Sequence, residues 1–195
     1  FVCETYSASP SSVSHADSDK FYNSLMAVLE ETIDGTYADL DFTRIYGSGQ
    51  SAGSMATPGF VRTNPEFYAA AASTSGLAVP DGTSQLPEGA GGAMPDFVIT
   101  GQSDLDNLMP DLWGSEMANE WITYLFDVNN MPDAQIGTAD DEHEFINDRT
   151  KVYTWENSDG VPMVKYGYTL LRAHNCSPYE MPILWDFMEH FSFEK

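Results

Sequence analysis

The segment Gly49-Gln50-Ser51-Ala52-Gly53 constrains the fold more than any other part of the chain. Just upstream lies Thr43 to Gly47 (TRIYG), a compact β-branched and aromatic run that reads as a strand. Downstream the residues read as helical. The pattern is therefore strand, tight turn, helix, with a serine of the G-x-S-x-G type at the apex. Such a serine must sit on a sharp, strained turn with its hydroxyl pointing outward. A side chain on either residue two positions away would collide there, which predicts the glycine at both flanks. The helix N-terminus then aims free N–H groups and a positive dipole end at charge developing on a reacting oxygen. The N–H of Ala52 is the expected oxyanion donor, and Gln50 beside the serine is a candidate substrate contact.

A serine hydroxyl is a poor nucleophile unless a base accepts its proton. The candidates are His15, His143, His174 and His190. His174 follows a strand-like run ending at Leu171 and precedes the last helix, so it falls on a loop at a strand end. His190 lies within the final helix, and His143 lies in an acidic loop. His15 is upstream of the serine, against the chain order serine, acid, histidine that accompanies this turn. His174 is thus the expected base. The acid must fix the imidazole tautomer and stabilise the imidazolium. Phe97 to Gly101 (FVITG) reads as a second strand, and Asp104 lies just past it. Asp106 is the alternative acid, and Asp104 is preferred because it needs less loop to aim it.

The remaining chain alternates in the same way. Phe21, Leu25, Met26, Val28, Leu29 and Ile33 share one helical face, with Asp17 or Ser18 as N-cap and Gly35 as the stop. The helix after Ser51 is expected to be interrupted at Pro58 and Gly59. Tyr68 to Ser75 reads as a buried strand of small residues, and residues 76–95 read as a long loop. Trp113, Met117, Trp121, Leu125 and Phe126 fit a helix over 113–126, which predicts core packing for these rings. Trp113 is the other candidate substrate contact. Residues 127–150 read as polar and irregular. Two strands, Val152 to Trp155 and Pro162 to Leu171, flank the turn Asn157-Ser158-Asp159-Gly160. The last helix carries Ser177 as N-cap, Pro178 at its first position and Glu180 closing a capping box. Strands alternating with helices predict an α/β fold with a mostly parallel sheet.

Charge narrows the partners. Thirty acidic residues face eight basic ones, giving a net charge of −22. Such a surface repels phosphate backbones and anionic lipid heads, so neither nucleic acid nor membrane is an expected partner. It suits a salty or extracellular setting, and an extracellular or periplasmic location is expected. The acidic stretch Asp140, Asp141, Glu142 and Glu144 lacks the spacing and glycine of an EF-hand loop, so no metal site is assigned.

The segments RIYGSGQSAGS and FYAAAASTSG resemble the nucleophile region of the polyhydroxybutyrate-depolymerase and feruloyl-esterase group of α/β-hydrolases. FVITGQSD resembles that group's acid-bearing strand. The stretch from Val152 to Ser192 resembles its C-terminal region, with His174 at the place of the catalytic histidine and Trp185 and Phe187 in the closing helix. The resemblance runs over most of the chain, though residues 107–150 match nothing in it and read as an insertion or cap-like segment. It implies a catalytic Ser51, His174 and Asp104, no cofactor, and a small-molecule or polymeric ester substrate. Two departures stand out. Ser54 occupies a position where the group commonly has a second glycine. The chain also reads as the C-terminal catalytic part of one hydrolase domain. The strands that precede the nucleophile in this group, and the early loop with the second oxyanion donor, are expected from a separate chain or segment.

The same resemblance bears on the cysteines. If residues 1–6 form the fourth strand of such a sheet, Cys3 and Cys176 lie about five strand positions apart. That is roughly 24 Å at about 4.8 Å per strand. A disulfide needs Cα atoms within about 7 Å, so two unpaired thiols are expected. The leading functional expectation is ester hydrolysis through an acyl-enzyme, on polysaccharide-linked aromatic or acetyl esters or on short polyesters. A serine peptidase of the same fold and a catalytically silent, carbohydrate-binding homologue are the alternatives.

Overall fold

The alanine-rich run before Ser75 dictates the architecture. Small residues can be buried from both sides only if layers approach closely on each face. In the computed structural model, which describes residues 15–63, 65–77, 92–104, 116–136 and 143–193, that run is strand β2 (Ala70–Thr74), buried along its whole length. Its neighbours are β1 (Tyr46–Gly47) and β3 (Asp96–Gly101). The sheet continues through β6 (Pro162–Thr169) and β5 (Thr150–Glu156) to β4 (His143–Ile146), in the order β1-β2-β3-β6-β5-β4. Strands β1, β2, β3 and β6 are mutually parallel. β5 and β4 add antiparallel strands at one side.

Alternate residues of a strand point to opposite faces, so one strand feeds two cores. Ala71 and Val98 join Val61, Trp121, Ile122 and Leu125 on one face. Ala70, Ala72, Phe97 and Ile99 join Ile183, Leu184 and Phe187 on the other. The first face is covered by α2 (Ala52–Thr63) and α3 (Glu116–Val128), with α1 (His15–Val28) packed beside α2. The second is covered by α4 (Glu180–Met188). Trp121 is completely buried, as its helical spacing predicts. Part of the 107–150 segment thus packs into the main core, through α3. Among the described residues no helix is long and apolar enough to cross a membrane.

Several local expectations need correction. The strand before Ser51 shortens to Tyr46–Gly47, because it pairs on one side only among the described strands. Helix α2 runs through Pro58 and Gly59 without a break. Both are buried, and packing of this face offsets the one backbone bond a proline cannot donate. The Thr57 hydroxyl also donates to the Gly53 carbonyl (2.9 Å) and ties the helix across the same turn. α1 begins at His15, earlier than the expected cap, and passes into a π-helical turn over Leu29–Ile33 before Gly35. α4 begins at Glu180 rather than at Pro178. The polar 127–150 region contains β4, a strand missed because it meets the sheet only through β5. The expected strand over residues 1–6, Cys3, Asp106, Trp113 and Asp140 to Glu142 lie outside the described residues, as does most of the 76–95 loop.

Candidate active site

Parallel strands end at a common rim, and the loops that leave that rim can bring distant residues together. Here Ser51 follows β1, Ser75 follows β2, Asp104 follows β3 and His174 follows β6. The topology alone places four polar side chains at one edge of the sheet.

The serine turn is held to β2 by backbone bonds. The Ser51 N–H donates to the Thr74 carbonyl (3.0 Å), and the Thr74 N–H donates to the Gly49 carbonyl (2.9 Å). Ser51 has φ 54°, a left-handed conformation that a non-glycine residue rarely adopts. The flanking glycines differ in what they do. A Cβ on Gly49 would lie 2.3 Å from the Gly53 carbonyl carbon, so only glycine fits. A Cβ on Gly53 would meet nothing within 4 Å. The expected need for glycine on both sides therefore holds at Gly49 and not at Gly53. Close approach here is between the Gly49 Cα and the backbone of Gly53, so one missing side chain relieves it. Ser54, the departure from the resembling group, is buried, and its hydroxyl donates to the Gly76 carbonyl (2.7 Å). Ala52 is the first residue of α2, and its N–H has no carbonyl one turn back in the helix. Gln50 is exposed beside Ser51.

The three side chains singled out from sequence meet. The Ser51 hydroxyl lies 2.7 Å from His174 Nε2. His174 Nδ1 lies 2.7 Å from Asp104 Oδ1. A carboxylate only accepts, so Nδ1 carries the ring proton and Nε2 is left to accept from Ser51. The Asp104 side chain is fully buried. Its second oxygen, Oδ2, accepts from the Gly101 N–H (3.1 Å) and the Ser75 hydroxyl (2.8 Å). With both oxygens occupied, the carboxylate cannot turn away from the imidazole. His190 is remote from this arrangement, on the turn after α4, where its ring contacts the Asp186 carbonyl.

The loop carrying His174 packs against the end of β3. A Cβ on Gly101 would fall 2.2 Å from the Arg172 carbonyl oxygen, so the missing side chain sets how closely loop and strand approach. The Ser103 N–H donates to that same carbonyl (2.8 Å), and the Leu171 N–H donates to the Gln102 side chain (2.9 Å). Cys176, two residues beyond His174, is an exposed free thiol.

Sequence reasoning missed Arg172, Ser75 and the deeper role of Glu180. Arg172 is only 5% exposed and Glu180 is fully buried, and their side chains meet at 2.6 Å. Burial pulls the Arg172 guanidinium below its ordinary value, while the Glu180 and Asp104 charges push it back up. A signal was available. The chain has eight basic residues in all, and one of them stands two positions before the candidate base.

A cleft of about 490 Å³ lies elsewhere. Leu29, Ile45, Tyr46, Phe60 and Trp185 line it on the open side of β1, and Ser51 is not part of its wall.

No family model matches the sequence, and no curated protein matches it. Among solved structures the chain is similar to an acetyl xylan esterase from Aspergillus awamori. The TM-score is 0.56 at 13% sequence identity, covering 89% of this chain and 67% of that one. At this identity the likeness is one of fold, an α/β architecture with a mixed six-stranded sheet between helices.

Proposed function

We propose that this chain is a serine-dependent carboxylic ester hydrolase, with Ser51 as nucleophile, His174 as general base and Asp104 as the orienting acid. One observation carries the reading. Two hydrogen-bond distances of 2.7 Å link a half-buried serine, an imidazole and a fully buried carboxylate in the order that proton transfer requires.

The chemistry follows from that order. The Ser51 hydroxyl attacks the ester carbonyl as Nε2 takes its proton, and Asp104 stabilises the imidazolium formed. The Ala52 N–H, at the positive end of α2, donates to the oxyanion. His174 then protonates the leaving alcohol. Water, deprotonated by the same imidazole, releases the acyl group and restores Ser51. A second oxyanion donor belongs to the mechanism.

The substrate class is read more narrowly from two supports. The sequence segments resemble the polyhydroxybutyrate-depolymerase and feruloyl-esterase group, and the structural neighbour is an esterase acting on acetyl xylan. Both point to acyl groups carried on polymers. Acetyl esters of polysaccharides are the first choice, with aromatic esters and short polyesters next. An extracellular setting suits such substrates and the chain's acidity. Gln50, exposed and next to Ser51 in the chain, is our candidate for contact with the ester.

The test is labelling with a fluorophosphonate probe together with hydrolysis of p-nitrophenyl acetate and an aminoacyl anilide. Wild type is expected to label at Ser51 and to cleave the acetate far faster than the anilide. Ser51→Ala is expected to lose labelling, and to lose turnover by on the order of 10⁴–10⁶-fold. A folded wild-type protein that neither labels nor turns over would overturn the reading, and faster anilide cleavage would move it to a peptidase.

A further inference from the structure

A guanidinium buried this deeply is costly unless its charge and its N–H groups are answered. At Arg172 the answer is unusually specific. Nε lies 2.6 Å from Glu180 Oε1, an ion-pair contact rather than an aligned hydrogen bond. Glu180 is itself held in place. Its Oε1 accepts from the Thr169 hydroxyl (2.5 Å), and its Oε2 accepts from the Thr74 hydroxyl (3.3 Å) and the Ser177 N–H (3.2 Å). The capping-box contact to Ser177 is thus one of several that fix this carboxylate, whose main partner is a cation.

The rest of the guanidinium reaches the candidate site. Nη2 donates to the Ile99 carbonyl of β3 (3.0 Å). Nη1 contacts the Ser75 hydroxyl (2.6 Å), the Ala173 carbonyl (3.3 Å) and the Asn175 carbonyl. Ala173 and Asn175 are the residues on either side of His174. The Ser75 hydroxyl in turn donates to Asp104 Oδ2 (2.8 Å), while Nη1 lies 4.0 Å from the same oxygen. One side chain therefore touches the carbonyls of the two residues flanking His174 and, through one hydroxyl, the carboxylate that orients its imidazole.

We infer that Arg172, neutralised by Glu180, is a positioning residue that holds His174 and Asp104 in register; as a role in catalysis this rests on the esterase reading above. Its partners decide this over a purely structural role. A guanidinium needed only for charge balance would be satisfied by Glu180. Here its Nη1 and Nη2 groups run to the strand, the loop and the hydroxyl that together fix the acid and the base. Displacing a catalytic group by about 1 Å is enough to cost on the order of 10²-fold in rate.

The experiment compares wild type with Arg172→Lys and with the double variant Arg172→Met/Glu180→Gln. Lysine keeps a charge opposite Glu180, but one ammonium cannot span Ser75, Ile99 and both flanking carbonyls. The double variant removes the buried pair together, so no lone charge is left to unfold the chain. Both are expected to melt cooperatively and to lose on the order of 10²-fold in kcat. KM for p-nitrophenyl acetate is expected to stay within roughly twofold, the pattern of a lost transition-state interaction. The downfield proton resonance of the His174–Asp104 hydrogen bond, present in wild type, is expected to weaken or vanish in both variants. Folded variants that keep that resonance and the wild-type kcat would overturn the inference, as would a loss of activity that only tracks the unfolded fraction. A wild-type protein inert to ester and fluorophosphonate would sink the esterase reading instead, and the resonance would still report whether Arg172 sets the pair.

Discussion

The two ends of β3 each bury a carboxyl group and treat it in opposite ways. At the N-terminal end, Asp96 is 1% exposed and its Oδ1 has no hydrogen-bond partner among the described residues. Burial alone pushes this carboxyl well above its usual value of 3.8. At the C-terminal end, the Asp104 side chain is equally hidden, yet its oxygens face hydrogen-bond donors and a cation: the Gly101 N–H, the Ser75 hydroxyl, the His174 ring and the Arg172 guanidinium beyond. Burial raises the cost of a charge, and neighbours decide whether that cost is met. At opposite ends of one six-residue strand, one carboxyl is driven toward a neutral core group and the other is kept as an acceptor for an imidazole.

The sharpest way to break the contrast is to neutralise the charged end. Asp104→Asn keeps shape but offers an amide where the imidazole needs an acceptor. Turnover of p-nitrophenyl acetate is expected to fall by about 10⁴-fold, with a melting curve still cooperative. Next in size is Gly101→Ala, which drives a methyl group into the Arg172 carbonyl and pushes the His174 loop off the strand. Activity is expected to fall on the order of 10²-fold, and stability by about 1–3 kcal/mol, as measured by urea denaturation.

The smallest effect, and the one that sharpens the comparison, comes from Asp96→Asn. The folded chain holds a proton on Asp96 that the unfolded chain has released. Wild-type stability therefore falls as pH rises from 3.8 through the raised folded-state value. Below that window both states are protonated and no penalty remains. An amide never ionises, so Asp96→Asn is expected to melt higher than wild type above the window, with the gap closing as pH drops toward 3.8. Each kcal/mol gained reads as about 2–4 °C in a chain of this size. Ester turnover is expected not to change. Thermal melts across pH check the sign, and a gap that widens on acidification would refute it.

What could be seen in the sequence follows the range of the forces involved. Ser51 was legible because its strand, turn and helix are contiguous, and Gly49 marks the turn on its own. His174 and Asp104 were legible because each follows a strand-like run, and parallel strands must end at one rim. The Arg172–Glu180 pair was not, because the two approach from a loop and a helix that meet only once β6 and α4 have packed. Glu180 also has a good local explanation, as a capping residue, which hides its tertiary one. Strand β4 was missed for a similar reason: four residues in a polar stretch become a strand only by pairing with β5. Pro58 reads as a helix break by local rules, and the packing around it overrides them.

The backbone of Ser51 carries a further consequence. Its left-handed φ of 54° is a conformation that costs a non-glycine residue about 1–2 kcal/mol. Ser51→Ala keeps that burden, whereas Ser51→Gly sheds it, so two substitutions that remove the same hydroxyl leave chains of unequal heat resistance. A directed-evolution campaign scored on thermal survival alone would tend to discard the hydroxyl first, and would enrich hardy proteins with nothing left to acylate.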